Sequence, residues 1–349
     1  MRKSLSDTEA VSPEAASFAL AGSDLDLGDV GGGAGLSLAG PGDFFALMKP
    51  RVMSLVVFTA IVGMVAALSY TDAAITVFQG VMAIVCIALG AGASGALNMW
   101  WDADIDAAMT RTRKRPVPRG TLRPRAALGF GVSLSGISVW LLGVLTNWVA
   151  SAWLAFTIVF YVVIYTMWLK RRTPQNIVIG GAPGAFPPLI GWAAVTGDTP
   201  LAAWSLFLIT FVWTPPHFWA LALYKVGDYA KVGVPMLPNV AGAKATRAQI
   251  LGYSLVLFGV GLLPVALGGL HAPWPAGVAL AALGAMFLWK AWVVFRSRAG
   301  ESKAGLDDPS LYAVVAGDRA ARDLFLYSLV YLFGMFAVIL ADALYGLWL

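Results

Sequence analysis

The sequence predicts an all-α, polytopic membrane protein whose transmembrane helices surround a central cavity. Of its 349 residues, 59% are hydrophobic and only 12% are charged, with a mean hydropathy of +0.75. A chain of this composition cannot present enough polar surface to remain soluble in water. Long apolar runs and a one-sided distribution of basic loops support the same fold class.

Nine apolar runs approach the length of roughly 20 residues that a helix needs to cross a bilayer. The predicted spans are residues 51–69, 77–97, 127–147, 149–169, 177–196, 202–224, 248–269, 274–295 and 324–346. Because nine is odd, the two termini are expected on opposite sides of the membrane. We expect two pseudo-repeated four-helix halves plus one further helix.

The connections between these spans alternate in charge. Lys and Arg are abundant after the second, fourth, sixth and eighth spans, whereas the links near 70–76, 147–150, 197–201 and 270–273 contain none. Positively charged loops stay in the cytoplasm. The pattern therefore predicts a cytoplasmic N-terminus and a periplasmic C-terminus, and a soluble helical bundle would not show it.

The first 42 residues have a different composition from the remainder. They combine Ser, Ala and Gly with scattered acids, which cannot bury enough apolar area to repay the cost of ordering. We expect residues 1–42 to be a disordered cytoplasmic tail and 43–349 to be a single transmembrane domain. Neither a secretory signal nor an Arg-rich transit peptide is recognisable, which favours a bacterial inner membrane.

Residue counts exclude several kinds of chemistry. The single Cys86 permits neither an intrachain disulfide nor a thiolate metal cage. The only histidines, His217 and His271, are too few for a metal held by several imidazoles, and His271 is expected at the surface. The pI of about 9.3 reflects topology, so we expect no nucleic-acid partner.

An acidic motif follows the second span. Asn98, Asp102 and Asp106 are spaced i, i+4, i+8 and therefore share one stripe of a helix. Clustered oxygens of this kind suit Mg²⁺, which usually completes its coordination with substrate phosphates. The basic stretch RTRKRP at 111–116 could hold such phosphates, which predicts a diphosphate site. Alternatively, the acids only cap and solvate a helix end.

A second motif follows the sixth span. Tyr224 and Asp228 repeat the i, i+4 spacing and would face the first motif across the cavity. His217 lies about two turns earlier, and an imidazole in a span indicates function by default. The alternatives are that Asp228 is an interface anchor and that His217 bonds a carbonyl exposed by two neighbouring prolines. Those prolines and the Gly-Pro-rich fifth span predict bent helices.

Beyond these patterns, several stretches resemble the UbiA-type intramembrane prenyltransferases, and among them the members that farnesylate haem. They are NMWWDADIDAAMTRTRKRP at 98–116, KPRV at 49–52, YTMWLKRRTPQNIVIGGAPGAFPPLIGW at 165–192, WTPPHFWALALYKVGDYAKVGVPMLP at 213–238 and LFLYSLVYL at 324–332. The resemblance extends from about residue 45 to the C-terminus.

The resemblance implies an enzyme that transfers a farnesyl group from farnesyl diphosphate to a vinyl group of haem b, with addition of water. Haem b is then a substrate, and Mg²⁺ is the cofactor. Catalytic and metal-binding roles fall on Asn98, Asp102, Asp106 and Asp228. Substrate-binding roles fall on Arg51, Arg111, Arg115, Lys170, Arg171, His217, Tyr224 and Lys225.

The same resemblance suggests membrane lipid, haem A synthase and oxidase assembly proteins as partners. The second motif departs from the wider family, because it carries the single Asp228 after Gly227, with Tyr224 in an upstream acidic position. The number of Mg²⁺ ions therefore stays open. Two alternatives are prenylation of another acceptor, such as a hydroxybenzoate or chlorophyllide, and a transporter, although the latter needs more polar spans.

Overall fold

The computed structural model describes residues 39–109, 112–225, 233–301 and 316–349, with backbone alone at Arg51 and Ala316. Within these ranges the chain is helical, and nine helices are long and apolar enough to cross a membrane. The predicted fold class is confirmed. The tail predicted over 1–42 lies largely outside the described residues and stays a prediction, although a helix already begins at Pro41.

The helices are α1 (Pro41–Leu47), α2 (Pro50–Tyr70), α3 (Val77–Trp101), α4 (Ala103–Ala108), α5 (Pro124–Leu145), α6 (Trp148–Val159), α7 (Asn176–Gly180), α8 (Ala182–Thr196), α9 (Leu201–Tyr224), α10 (Leu237–Gly261), α11 (Leu263–Ala266), α12 (Pro273–Arg296) and α13 (Arg319–Trp348). Helix α6 continues as a π-helix over Phe160–Leu169. Proline in the first turn begins several of them, where no intrahelical N–H is required.

Helix ends lie further into the polar segments than hydropathy predicts. Helix α3 continues to Trp101 rather than 97, and α10 begins at Leu237 rather than 248, passing a break at Gly242 where φ is 80°. Helix α13 begins at Arg319 rather than 324. Hydropathy reports where a helix meets lipid, whereas backbone hydrogen bonding carries the helix beyond that boundary.

Each membrane-length helix packs against the next along the chain, and α13 closes the bundle by packing against α2. Helix α2 also crosses α8 in the interior. At that crossing a Cβ on Gly63 would overlap the Pro188 carbonyl, and one on Gly191 would overlap the Ala60 carbonyl. The paired glycines therefore permit backbone contact, as small residues do in membrane helices.

The fifth and sixth spans, in which bends are predicted, differ in their helical continuity. The fifth is divided into α7 and α8 at Gly181. The sixth is the single helix α9, which continues without interruption through Pro215 and Pro216. Packed neighbours thus hold the second proline pair inside a continuous helix.

Two ends of the bundle are referred to below. The Trp101 end is where α3 and α9 finish, and the Tyr70 end is the opposite one, where α2 finishes. At the Tyr70 end the buried carboxylate of Asp342 accepts hydrogen bonds from Tyr70 Oη and the backbone amides of His271 and Ala272, at 2.7–2.9 Å. Exposed His271 also bonds Ser69 Oγ, at 2.9 Å. Asp342 thereby links α13, α2 and the start of α12.

Candidate functional site

The acidic motif lies at the Trp101 end, where α3 passes into α4. Asp102 stands at the junction with φ −88° and ψ 14°, yet its amide still bonds the Asn98 carbonyl, and the Asp106 amide bonds the Asp102 carbonyl. Near-helical geometry is therefore kept through the motif, as its spacing predicts. Asn98, Asp102 and Asp106 are 5%, 1% and 3% exposed. Side chains that only capped and solvated a helix end would be exposed to water.

Cations from two other segments meet these acids. Lys170 Nζ lies 2.5 Å from Asp102 Oδ2, and Arg115 Nη1 lies 2.5 Å from Asp106 Oδ2. Arg171 makes a bidentate pair with Asp104, at 2.7 and 2.8 Å. Desolvation raises the pKa of Asp104, but the Arg171 hydrogen bonds outweigh it and leave that pKa below its usual value. Three of the predicted basic residues are thus brought to the acidic motif.

Lys49 is a site residue that sequence reasoning missed. Its Nζ donates to Asn98 Oδ1 at 2.6 Å, while Asn98 Nδ2 donates to Asp102 Oδ2 at 2.7 Å. Lys49 has φ 55°, a left-handed conformation uncommon for a residue with a side chain. Its burial lowers the pKa of the ammonium to about 7, and nearby Arg115 acts in the same direction. The KPRV motif at 49–52 was the sequence feature that could have identified Lys49.

A π-helix brings the second missed residue to the site. Over Phe160–Leu169 the helix is wound more loosely than an α-helix, and such segments are often found at functional sites. Thr166 is fully buried there, donates to the Tyr161 carbonyl at 2.8 Å and accepts from Asn98 Nδ2 at 3.2 Å. Lys170 follows directly after this segment. No sequence pattern announces the change of winding.

One atom of the cluster lacks a hydrogen-bond partner. Asp102 Oδ1 is buried and unbonded, with Arg171 Nη2 3.7 Å away. A buried carboxylate oxygen without a donor is costly, so it fits an added cation. Among the described residues, however, no three His, Cys, Asp or Glu side chains are placed to hold a metal ion, and Asp106 pairs with Arg115. The four predicted metal ligands therefore stay a prediction.

An apolar cavity of about 130 Å³ opens beside this cluster. Lys49 lines its polar end, and Val56, Leu154 and Ile190 are among the apolar side chains that line the interior. Ile87 is also in the lining, and it lies 11 residues before Asn98 on α3, a distance of about 16 Å along the helix. The arrangement is a charged mouth above a narrow hydrocarbon pocket.

The second motif is only partly described. Asp228 and Arg111 lie outside the described residues, as does the side chain of Arg51. Tyr224 is buried and packs edge-on against Phe325, with Lys225 Nζ 5.9 Å from its ring centre. Met109, which follows the first motif, belongs to the same buried cluster as Tyr224. The two motifs thus share one apolar core.

His217 faces α13. Its Nδ1 lies 2.6 Å from Ser328 Oγ, and its ring stacks with Trp213 and Phe325 at centroid distances of 4.2 and 4.7 Å. The alternative bond to a carbonyl near the two prolines is not found for His217 within the described part of the chain. Because Ser328 occupies Nδ1, Nε2 is the ring nitrogen that a ligand would use.

An acid cluster paired with cations, beside an apolar pocket between membrane helices, suits a ligand that combines an anionic group with a hydrocarbon chain. The chain belongs to the UbiA prenyltransferase family, whose model matches residues 56–307.

Curated relatives show which members of this family the chain resembles. The chain is 58% identical to protoheme IX farnesyltransferase 2 of Mesorhizobium japonicum, over 88% of this chain and 92% of the relative. It is 56% identical to protoheme IX farnesyltransferase of Caulobacter vibrioides, over 87% and 91%.

Solved structures confirm the fold. A digeranylgeranylglyceryl phosphate synthase aligns with a TM-score of 0.69 at 15% identity, covering 87% of this chain and 98% of that one. A UbiA homolog from Archaeoglobus fulgidus, bound to GPP and Mg²⁺, aligns with a TM-score of 0.58 at 14% identity, covering 85% and 99%.

Proposed function

We propose that this prenyltransferase transfers the farnesyl group of farnesyl diphosphate to a vinyl group of haem b, with addition of water, to form haem O. The names of its relatives at 56–58% identity support this substrate pair. The observation that carries the proposal is that Lys49, at the polar end of the apolar cavity, is hydrogen-bonded through Asn98 to the Asp102 cluster.

The cations at the mouth suit the diphosphate. Lys49, Arg115, Lys170 and Arg171 supply one ammonium or guanidinium each within a small, partly dehydrated volume. Such groups stabilise negative charge as it develops on a leaving group, because their interaction is stronger in a site of low dielectric. Arg111 and Lys225 are proposed to complete this set.

The acids suit the metal. Asp102 Oδ1 offers an oxygen with no competing donor, and Asp228 is proposed to contribute from the second motif. Mg²⁺ bound there would neutralise charge on the departing diphosphate. The Archaeoglobus homolog was solved with GPP and Mg²⁺, which supports a divalent metal for this chain as well.

The cavity suits the isoprenoid. Its apolar walls can hold a branched hydrocarbon chain and keep water from the allylic cation that forms when the C–O bond breaks and its electron pair leaves with the diphosphate. The vinyl group then forms the new C–C bond. Water adds to the resulting cation and loses a proton, which gives the hydroxyethylfarnesyl side chain.

The remaining assignments are proposals on sequence grounds. His217, Tyr224 and Arg51 are proposed to contact substrate, with His217 Nε2 available to the acceptor. We also propose a location in a bacterial inner membrane, with a cytoplasmic N-terminus and a periplasmic C-terminus, because basic loops are confined to the Trp101 end. Haem A synthase or oxidase assembly proteins would receive the product.

The test uses membranes containing the full chain, supplied with haem b, farnesyl diphosphate and Mg²⁺, with products measured by mass spectrometry. Haem O is expected from the unmodified protein and from the control variant Asp72→Ala, which changes an exposed acid at the Tyr70 end. Asp102→Ala should form no haem O although it still inserts in the membrane. Prenylation of an added hydroxybenzoate in place of haem would reject the proposal.

A further inference from the structure

A second apolar recess lies on the outside of the bundle, between α10 and α12. It encloses about 490 Å³ and is lined by Leu251, Leu255, Phe258, Leu288, Trp289 and Trp292, together with Ala285. Leu255, Trp289 and Trp292 are 56%, 57% and 47% exposed. We call it the α10–α12 groove. Because both helices span the membrane, whatever fills this groove comes from the bilayer.

Both walls of the groove lead to a cation at the Trp101 end. On α10, Lys244 precedes Leu251 and Leu255 by 7 and 11 residues, which places the three on one helical stripe. On α12, Arg296 follows Trp292 by 4 residues and Ala285 by 11, so these three residues also share one helical stripe, with the cation at its C-terminal end. Since the helices are antiparallel, both cations lie beyond the same end of the groove.

Aromatic rings lie against Arg296 and against a further cation of α12, Lys290. The Arg296 guanidinium lies 5.8 Å from the Trp292 ring centre, and Lys290 Nζ lies 5.6 Å from the ring centres of Trp289 and Tyr327. Within the described ranges, neither Arg296 nor Lys290 has a carboxylate in ion-pair distance. Lys290 is also inside a span, where a charged side chain is costly unless it reaches the interface or a counter-charge.

From these contacts we propose that the α10–α12 groove binds one anionic phospholipid of the leaflet at the Trp101 end. An acyl chain lies along the groove, and the phosphate is bound between Lys244 and Arg296. Charge selects this occupant over a neutral lipid or an apolar helix, because basic residues at the membrane face attract anionic headgroups.

The test is native mass spectrometry of the purified full-length chain, titrated separately with phosphatidylglycerol and phosphatidylcholine. We expect the unmodified protein to retain one phosphatidylglycerol more tightly than phosphatidylcholine. Arg296→Gln should weaken retention about five-fold, which is the contribution of one basic residue near the surface. The matched control is Arg125→Gln, which removes an exposed arginine from the start of α5 at the same end and should change nothing.

A variant that fills the α10–α12 groove tests the proposed binding of the acyl chain. Ala285→Trp places a ring in the groove from an exposed position, so it should reduce retention without removing any charge. Equal retention of the two lipids by the unmodified protein would overturn the proposal, as would equal losses in Arg296→Gln and Arg125→Gln. If Ala285→Trp instead converts a dimer to a monomer and leaves lipid retention unchanged, the occupant is a second copy of this chain.

Discussion

The two ends of the bundle each bury a carboxylate, and the two are satisfied in different ways. Asp342 at the Tyr70 end is 5% exposed, and both of its oxygens accept hydrogen bonds from neutral donors. Asp102 at the Trp101 end is 1% exposed, faces the cations Lys170 and Arg171, and retains one oxygen without a hydrogen bond. A carboxylate whose two oxygens are both hydrogen-bonded to neutral donors indicates a structural link. A carboxylate that faces two cations and has one oxygen without a hydrogen bond indicates a binding site.

Asp102→Asn should give the largest effect on activity. The amide keeps the shape of the side chain but removes its negative charge, so the metal and the diphosphate lose their anchor. We expect turnover to fall by at least about 10²-fold, the usual cost of losing one electrostatic contact to developing charge. Haem O formation in membranes measures it. Turnover within threefold of normal, at normal protein abundance, would contradict the distinction between the two ends.

Lys49→Gln should have the next largest effect on catalysis. Losing the ammonium leaves Asn98 Oδ1 without its donor and removes one cation from the mouth of the cavity. We expect kcat/KM for farnesyl diphosphate to fall about tenfold, as for the loss of a hydrogen bond to a charged group. Lys114→Gln, which changes an exposed lysine of the neighbouring basic loop, is the control. Equal losses in both variants would mean that Lys49 contributes only general positive charge.

Asp342→Asn should affect stability and spare catalysis. The amide cannot accept all three hydrogen bonds, and each buried donor left unpaired costs about 1–3 kcal/mol. We expect the Tm of the detergent-solubilised protein to fall by several degrees while turnover per folded molecule is unchanged. A selective loss of turnover at normal Tm would show that the Tyr70 end also takes part in the reaction.

His271→Ala should give the smallest effect. The side chain is exposed and bonds Ser69 Oγ, so its removal should cost no more than about 1 kcal/mol. A Tm shift of a degree or two, measured beside Asp342→Asn, is expected. A larger Tm shift than that of Asp342→Asn would show that His271 contributes more than Asp342 to linking the helices.

Much of the fold follows from local patterns. The nine spans are recognisable because each is a long and largely apolar run, and α8 begins near the Gly-Pro cluster that predicts a break. The contact of Asn98 with Asp102 also follows from a spacing of four residues. Such features need only the geometry of one helix.

Other features depend on distant residues and could not be predicted. Lys49 reaches Asn98 because α2 begins with a left-handed residue, and Thr166 reaches the same amide across 68 positions of sequence. Asp106 pairs with Arg115, which lies nine residues further along the chain and beyond the end of the same helix. Each outcome is decided by competition among partners that tertiary packing brings together.

The π-helix before Lys170 makes the length of this segment as important as its composition. Each residue of a helix turns the chain by roughly a quarter of a turn, so removing one residue from Phe160–Leu169 without a change of winding would swing the following lysine away from Asp102. An insertion or deletion in this segment would therefore change which side chain faces Asp102. We expect related sequences to vary the side chains of this segment more freely than the number of its residues.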